Sequence, residues 1–155
     1  MTNMKRRVFL KGILTTGGAV CAGMLIPQVV LASWPTTAFN AGSVDQTLKD
    51  LFAGESITES AKISFPELPT LAQDARSVPV NISTTLPKVS QITLLVDKNP
   101  RPLAATYLLS DRVEPKLSMR VKMAKTTNVV AVVKSNGKLY SARKKVKITI
   151  GGCGG

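Results

Sequence analysis

From Ile63 onward the apolar residues fall at every second position, and this period of two limits what the chain can build. Ile63 and Phe65 alternate ahead of Pro66, then Val78, Val80 and Ile82, then Ile92, Leu94 and Val96. The pattern resumes at Leu103, Ala105, Tyr107 and Leu109 and again at Leu117, Met119, Val121 and Met123. Extended chain turns successive side chains to opposite faces, so each run carries one apolar and one wetter face. Residues 129–133 are apolar at every position and belong in the middle of a sheet. Asn136-Gly137 supplies a two-residue hairpin turn that suits twisted strands, whereas Lys98-Asn99-Pro100-Arg101-Pro102 is a turn no central strand could contain. The last run, 139–150, is interrupted by Arg143-Lys144-Lys145, where a bulge or a sheet edge is expected. About seven short strands with turns between them predict an all-β chain, an antiparallel β-sandwich of immunoglobulin-like type.

Two segments depart from the alternation. Residues 43–54 read as one short N-terminal helix: Ser43 and Gln46 form a capping box, and Val44, Leu48, Leu51 and Phe52 share a face that must pack on this domain or another subunit. Gly54 ends it. The lead at 33–42 is polar and irregular, and 66–74, with two prolines, is a loop with one helical turn.

The N-terminus has another purpose. Lys5, Arg6, Arg7 and Lys11 precede an apolar stretch at 12–31 and a small-residue exit at Ala32. This is the layout of a cleaved signal peptide over 1–32, and Arg6-Arg7 followed by Phe9-Leu10-Lys11 fits the twin-arginine export pattern. Gly17, Gly18, Gly23 and Pro27 weaken the competing reading of 13–31 as a membrane span, so no stable membrane anchor is expected after cleavage. Cys21 follows Val20 rather than a small residue, which argues against a lipoprotein. The domain is then 33–150, followed by the tail 151–155.

Cleavage simplifies the cysteine arithmetic. Cys21 leaves with the signal, and Cys153 is the one thiol remaining. It stands between Gly151-Gly152 and Gly154-Gly155, which lack side chains to pack and predict a slender, flexible C-terminal arm presenting the sulfur. A lone thiol sent into an oxidising compartment must pair with another molecule, be modified or act as a reactive group.

The sequence contains no histidine, which removes Cys-His hydrolases, the usual zinc and haem ligand sets and the commonest general base. There is no phosphate-cradling loop or dinucleotide fingerprint, so no cofactor, metal site or catalytic residue is assigned. Four of the 21 Lys and Arg lie in the signal, leaving 17 against nine acids. Beyond Glu114 come ten basic residues and no acidic one. Such a field attracts anions. Nucleic acid does not fit an exported chain without interleaved aromatics. Arg143, Lys144 and Lys145 are candidate anion contacts, against the plainer reading of charges that protect a sheet edge.

Three readings remain open on these residues: a covalent carrier arm loaded by other enzymes, an interaction module dimerising by a disulfide through Cys153, and a binding module whose tail is incidental.

The tail Gly151-Gly152-Cys153-Gly154-Gly155, preceded by Lys145-Val146-Lys147-Ile148-Thr149-Ile150, resembles that of the SoxY family, sulfur carriers of the thiosulfate-oxidising Sox system. Ser77-Val78-Pro79-Val80, Lys98-Asn99-Pro100-Arg101-Pro102, the 129–133 run and the twin-arginine leader stand in the family's order. One departure is Asp74-Ala75-Arg76, where family members often carry an Asn-Gly turn. The resemblance implies a periplasmic, non-catalytic carrier that pairs with a SoxZ-like subunit, itself an immunoglobulin-like sandwich. It also implies covalent attachment of thiosulfate at Cys153 by a haem enzyme, sulfate release by a hydrolase, and oxidation or transfer of the remaining sulfane sulfur.

Overall fold

The computed structural model describes residues 35–149. The expected signal at 1–32 with Arg6 and Arg7, and the expected arm with Gly151, Gly152, Cys153, Gly154 and Gly155, lie outside the described residues.

Among the described residues two helices, α1 (Thr36–Asn40) and α2 (Val44–Phe52), precede nine strands. These are β1 (Ile57–Glu59), β2 (Ile63–Ser64), β3 (Leu71–Ala72), β4 (Val78–Thr84), β5 (Val89–Val96), β6 (Leu103–Leu108), β7 (Lys116–Val121), β8 (Thr127–Ser135) and β9 (Lys138–Ile148). The larger sheet runs β1-β9-β8-β5-β6 with β3 also on β9, and the smaller runs β2-β4-β7. Placing β4 and β7 in one sheet and β5, β8 and β9 in the other is the Greek-key partition of immunoglobulin-like sandwiches. The expected antiparallel pattern holds through most of the sheets, but β1 and β3 both pair with β9 in parallel.

The alternating runs face inward as their period requires. Val78, Val80 and Ile82 of β4 meet Ile92, Leu94 and Val96 of β5 and Val129, Ala131 and Val133 of β8 in one core. All are essentially inaccessible to solvent, and each fully buried Val, Leu or Ile side chain contributes about 1.5–3 kcal/mol. Along β7, Lys116, Ser118 and Arg120 are exposed while Leu117, Met119 and Val121 turn to the core. Met123, past the strand's end, is still fully buried, its N–H donating to the Ala75 carbonyl at 2.8 Å.

Val130 and Val132, the other half of the continuous apolar run, face the opposite side of the larger sheet. There they pack with Leu95 and Leu139 beneath Phe52, and Val44, Leu48 and Leu51 of α2 complete this second cluster. The helix thus covers its own domain. Ser43 caps it, Oγ accepting from the Gln46 N–H at 3.2 Å. The reciprocal half of the capping box is replaced: Gln46 Nε2 donates to Asp50 Oδ1 at 2.7 Å. The left-handed exit begins one residue early, at Ala53 with φ 50°, and continues through Gly54.

Asn136 and Gly137 have φ of 48° and 75°, the two positive values a tight hairpin between β8 and β9 requires. Asn99 in the proline-flanked turn ties two loops together: its Nδ2 donates to the Lys122 carbonyl at 2.8 Å, and its Oδ1 accepts from the Ala124 N–H at 2.9 Å. Asp74-Ala75-Arg76 makes its turn through a side chain, Asp74 Oδ1 accepting from the Arg76 N–H at 2.9 Å. Pro79 is tolerated in β4 because β2 reaches only Ser83 and Thr84, leaving that flank open.

The strand containing Arg143-Lys144-Lys145 corrects one half of an expectation, the bulge, and keeps the other, since the run itself has an open edge on one side. Its register with β8 is continuous from Thr127↔Val146 to Ser135↔Lys138, with no bulge. Nor is it an outermost strand, since β1 and β3 lie on its other side. These two short strands pair with 139–141 and 147–148 only, so the basic run falls opposite the break between them. The chain leaves the sheet in that break to build β2 in the opposite layer, and neither β1 nor β3 is long enough to close it.

Candidate functional site

The described residues closest to Cys153 in sequence are the end of β9 and Thr149, and they are fastened from both sides. Towards β3, the Lys147 N–H donates to the Thr70 carbonyl at 2.9 Å and the Thr149 N–H to the Ala72 carbonyl at 3.2 Å. On the other side, the Ile148 N–H donates to Thr126 Oγ1 at 3.0 Å. Thr149 is therefore a fixed root, four residues before Cys153.

Unbroken alternation separates the three basic candidates. Leu139 lies in the cluster beneath α2, whereas Tyr140, Ala142, Val146 and Ile148 pack against the core between the sheets. Odd-numbered residues of β9 thus face outward, and Arg143 and Lys145 share that face with Lys147. Lys144 is on the opposite face and does not join them. Arg143 Nε stands 3.7 Å from Glu59 Oε1, so its charge has a partner, though two-thirds of that side chain remains exposed. Lys145 and Lys147 have no ion-pair partner among the described residues. Beside Lys147 in the β3 register stands Leu71, 51% exposed, while its neighbour Ala72 is buried in the core.

The same outer face holds a groove of about 240 Å³ beside α2, with Val130 and Val132 in its floor and Asp45, Asp97 and Arg143 at its margins. Carboxylates of this kind and a paired arginine leave no strong net preference for an anion. Among the described residues, no group of three or more Asp, Glu, His or Cys could hold a metal ion. One carboxylate has a displaced titration. The Arg76 backbone N–H, reinforced by the Arg76 side chain 3.3 Å away, holds Asp74 below its ordinary value. It belongs to the turn between β3 and β4, three residues after Leu71.

The arrangement offers no assembled catalytic group among the described residues. It offers a rigid strand end, an outward cationic pair and an exposed leucine, all next to the segment bearing the thiol. Adjacency in the sequence groups Arg143, Lys144 and Lys145, while Leu71 falls within an expected loop. The period of two carried through the run would have paired 145 with 147, but Leu71 had no signal, because a two-residue strand has no period.

Residues 48–153 match the family model for the sulfur oxidation protein SoxY, a span that opens in α2 and closes on Cys153. The chain belongs to the SoxY family. The structure of the sulfur carrier protein SoxY from Chlorobium limicola f thiosulfatophilum matches with a TM-score of 0.64 at 35% identity, covering 70% of this chain and 97% of that one. A superoxide reductase (neelaredoxin) from Ignicoccus hospitalis matches at a TM-score of 0.49 and 20% identity, covering 62% of this chain and 83% of that one, and carries no argument about this one. No curated protein matches the sequence. Membership accords with the resemblance carried by the glycine-flanked cysteine and the inner segments, and the β-sandwich agrees with the SoxY structure.

Proposed function

We propose that this chain is a sulfur carrier rather than an enzyme, and that Cys153 is the atom of attachment. The observation that carries the reading is the family match, which runs through the whole sandwich and ends on that cysteine. In support, the solved relative is itself described as a sulfur carrier protein. The glycines on both sides of Cys153 leave a chain thin enough to enter a narrow cleft.

The chemistry asks little of the carrier beyond a thiol. Thiosulfate joins the Cys153 sulfur with loss of the thiol proton and two electrons, which a haem enzyme accepts, giving Cys-S-S-SO3⁻. Water then cleaves the S–SO3 bond in a hydrolase, releasing sulfate and leaving a persulfide on Cys153 for oxidation or transfer. Each step needs a partner. The twin-arginine leader with Arg6 and Arg7 supports a periplasmic setting for this work, with a SoxZ-like subunit exported alongside.

Intact-mass analysis tests the reading. The mature chain with its partner subunit, incubated with thiosulfate and the oxidising haem enzyme, is expected to gain one thiosulfonate adduct. Cys153→Ser is expected to fold, retain the partner and gain none. An unchanged wild-type mass overturns the carrier reading. A variant defect confined to self-association assigns Cys153 to a disulfide-linked dimer instead.

A further inference from the structure

We propose that the outward face of β9 at the root of the arm, formed by Lys145, Lys147 and Leu71, is a docking surface for the enzymes that act on Cys153. Their matching surface is an active-site entrance rimmed by carboxylates, with an apolar spot for the leucine. This rests on the carrier reading above.

Reach makes contact at this place unavoidable. Thr149 is hydrogen-bonded to Ala72, and four residues of fully extended chain from it span only about 13 to 14 Å. An enzyme that takes the Cys153 sulfur into a cleft must therefore bring its rim against the end of β9. Rim contacts decide whether productive encounters are fast or rare.

The face there is built for an acidic partner. Lys145 and Lys147 are two residues apart on one side of a regular strand, both exposed and without an ion-pair partner among the described residues. Arg143, next in the same row, is already engaged by Glu59. Leu71 stands beside Lys147, half exposed although its strand neighbour is fully packed. A second copy of this chain would bring the same cations to the interface and be repelled. No acid lies beyond Glu114 in the chain, and the carboxylates that other segments bring nearby, Glu59 and Asp74, are engaged by Arg143 and Arg76.

The alternative role for these lysines is to hold the small sulfur oxyanion on the thiol, and it is separable from docking. The mature chain with its partner subunit is compared with Lys145→Glu/Lys147→Glu, Lys145→Arg/Lys147→Arg and Leu71→Ser. Two readouts are taken: kcat/KM for enzymatic loading with thiosulfate at low and high salt, and Cys153 alkylation by uncharged iodoacetamide. The double-glutamate chain is expected to lose at least about tenfold in kcat/KM at low salt, with the deficit shrinking as salt screens the charges. The double-arginine chain keeps the wild-type rate. Leu71→Ser loses a few-fold at either salt. Alkylation stays within about twofold throughout, since no docking is involved.

Equal kcat/KM for the glutamate and wild-type chains at low salt overturns the proposal. So does an equal loss in alkylation, which would assign the lysines to the thiol. A loss that persists undiminished at high salt also overturns it, by assigning them to short-range contact with the bound anion. Failure of the wild-type chain to load at all strikes at the carrier reading itself.

Discussion

The outer face of the larger sheet is divided between two regions built on the same strand. At one end of β9, Leu139 is sealed beneath Phe52 of α2 together with Leu95, Val130 and Val132. At the other, the outward positions are Arg143, Lys145 and Lys147, with Leu71 exposed beside them. Backbone geometry and register are alike in both. The difference is cover: α2 is nine residues long, and the cluster it completes leaves the end of β9 out. One region contributes stability and the other recognition, and a strand supplies both because its outward side chains are independent choices.

The largest blow to this division is Phe52→Ala. Phe52 is 5% exposed at the centre of the helix–sheet contact, and its truncation is expected to cost about 3 kcal/mol in chemical denaturation. Cys153 loading under native conditions should remain near wild type while the variant stays folded. A loss below about 1 kcal/mol would show that α2 is not holding the covered half.

A smaller effect is expected from Ser43→Ala, which removes the 3.2 Å cap at the Gln46 N–H and costs about 1 kcal/mol. The drop should also appear as faster amide exchange in the first turn of α2. In the bare region, Lys145→Glu/Lys147→Glu should change unfolding free energy by no more than about 0.5 kcal/mol while impairing loading. A larger loss of stability would make these lysines structural and erase the contrast.

The finest effect concerns pH and a turn that belongs to neither half. Asp74 titrates below its ordinary value of 3.8, chiefly because it accepts the Arg76 backbone N–H. A lowered folded value means the ionised form is favoured by folding, so the contribution is present above 3.8 and disappears as pH falls through the lower folded value. More than half of the Asp74 side chain is exposed, and the effect is accordingly small. Asp74→Asn keeps an oxygen for the Arg76 N–H and removes the charge. The stability difference between the two chains should be constant near neutrality and narrow in acid, and a difference that widens in acid would reverse the assigned direction.

Much of this molecule is legible residue by residue. Val78, Val80 and Ile82 announce an inward face, Asn136-Gly137 a hairpin, and Ser43 the start of a helix, because each signal acts over a few positions. The short elements are not. Thr36–Asn40 reads as irregular lead and Leu71–Ala72 as loop, yet the first is helix and the second strand. Five and two residues are too few to display a period, and β3 exists only because β9 and the residue after it offer hydrogen-bond partners at Lys147 and Thr149. The basic run stands out in the sequence as one patch, since an expected bulge would reset the alternation. The register with β8 shows no such break.

Residue identity and local period were enough to mark the glycine-flanked cysteine and the alternation that makes a sandwich, because each can be read over a few neighbouring positions, whereas the family rests on the match over residues 48–153. Tertiary pairing settled that β1 and β3 run parallel to β9, that α2 covers only part of the outer face, and that Lys145 keeps company with Lys147 rather than Lys144. Backbone hydrogen bonds carry no residue label, so strand partners are chosen by the packing of distant segments. The company a lysine keeps follows from that choice.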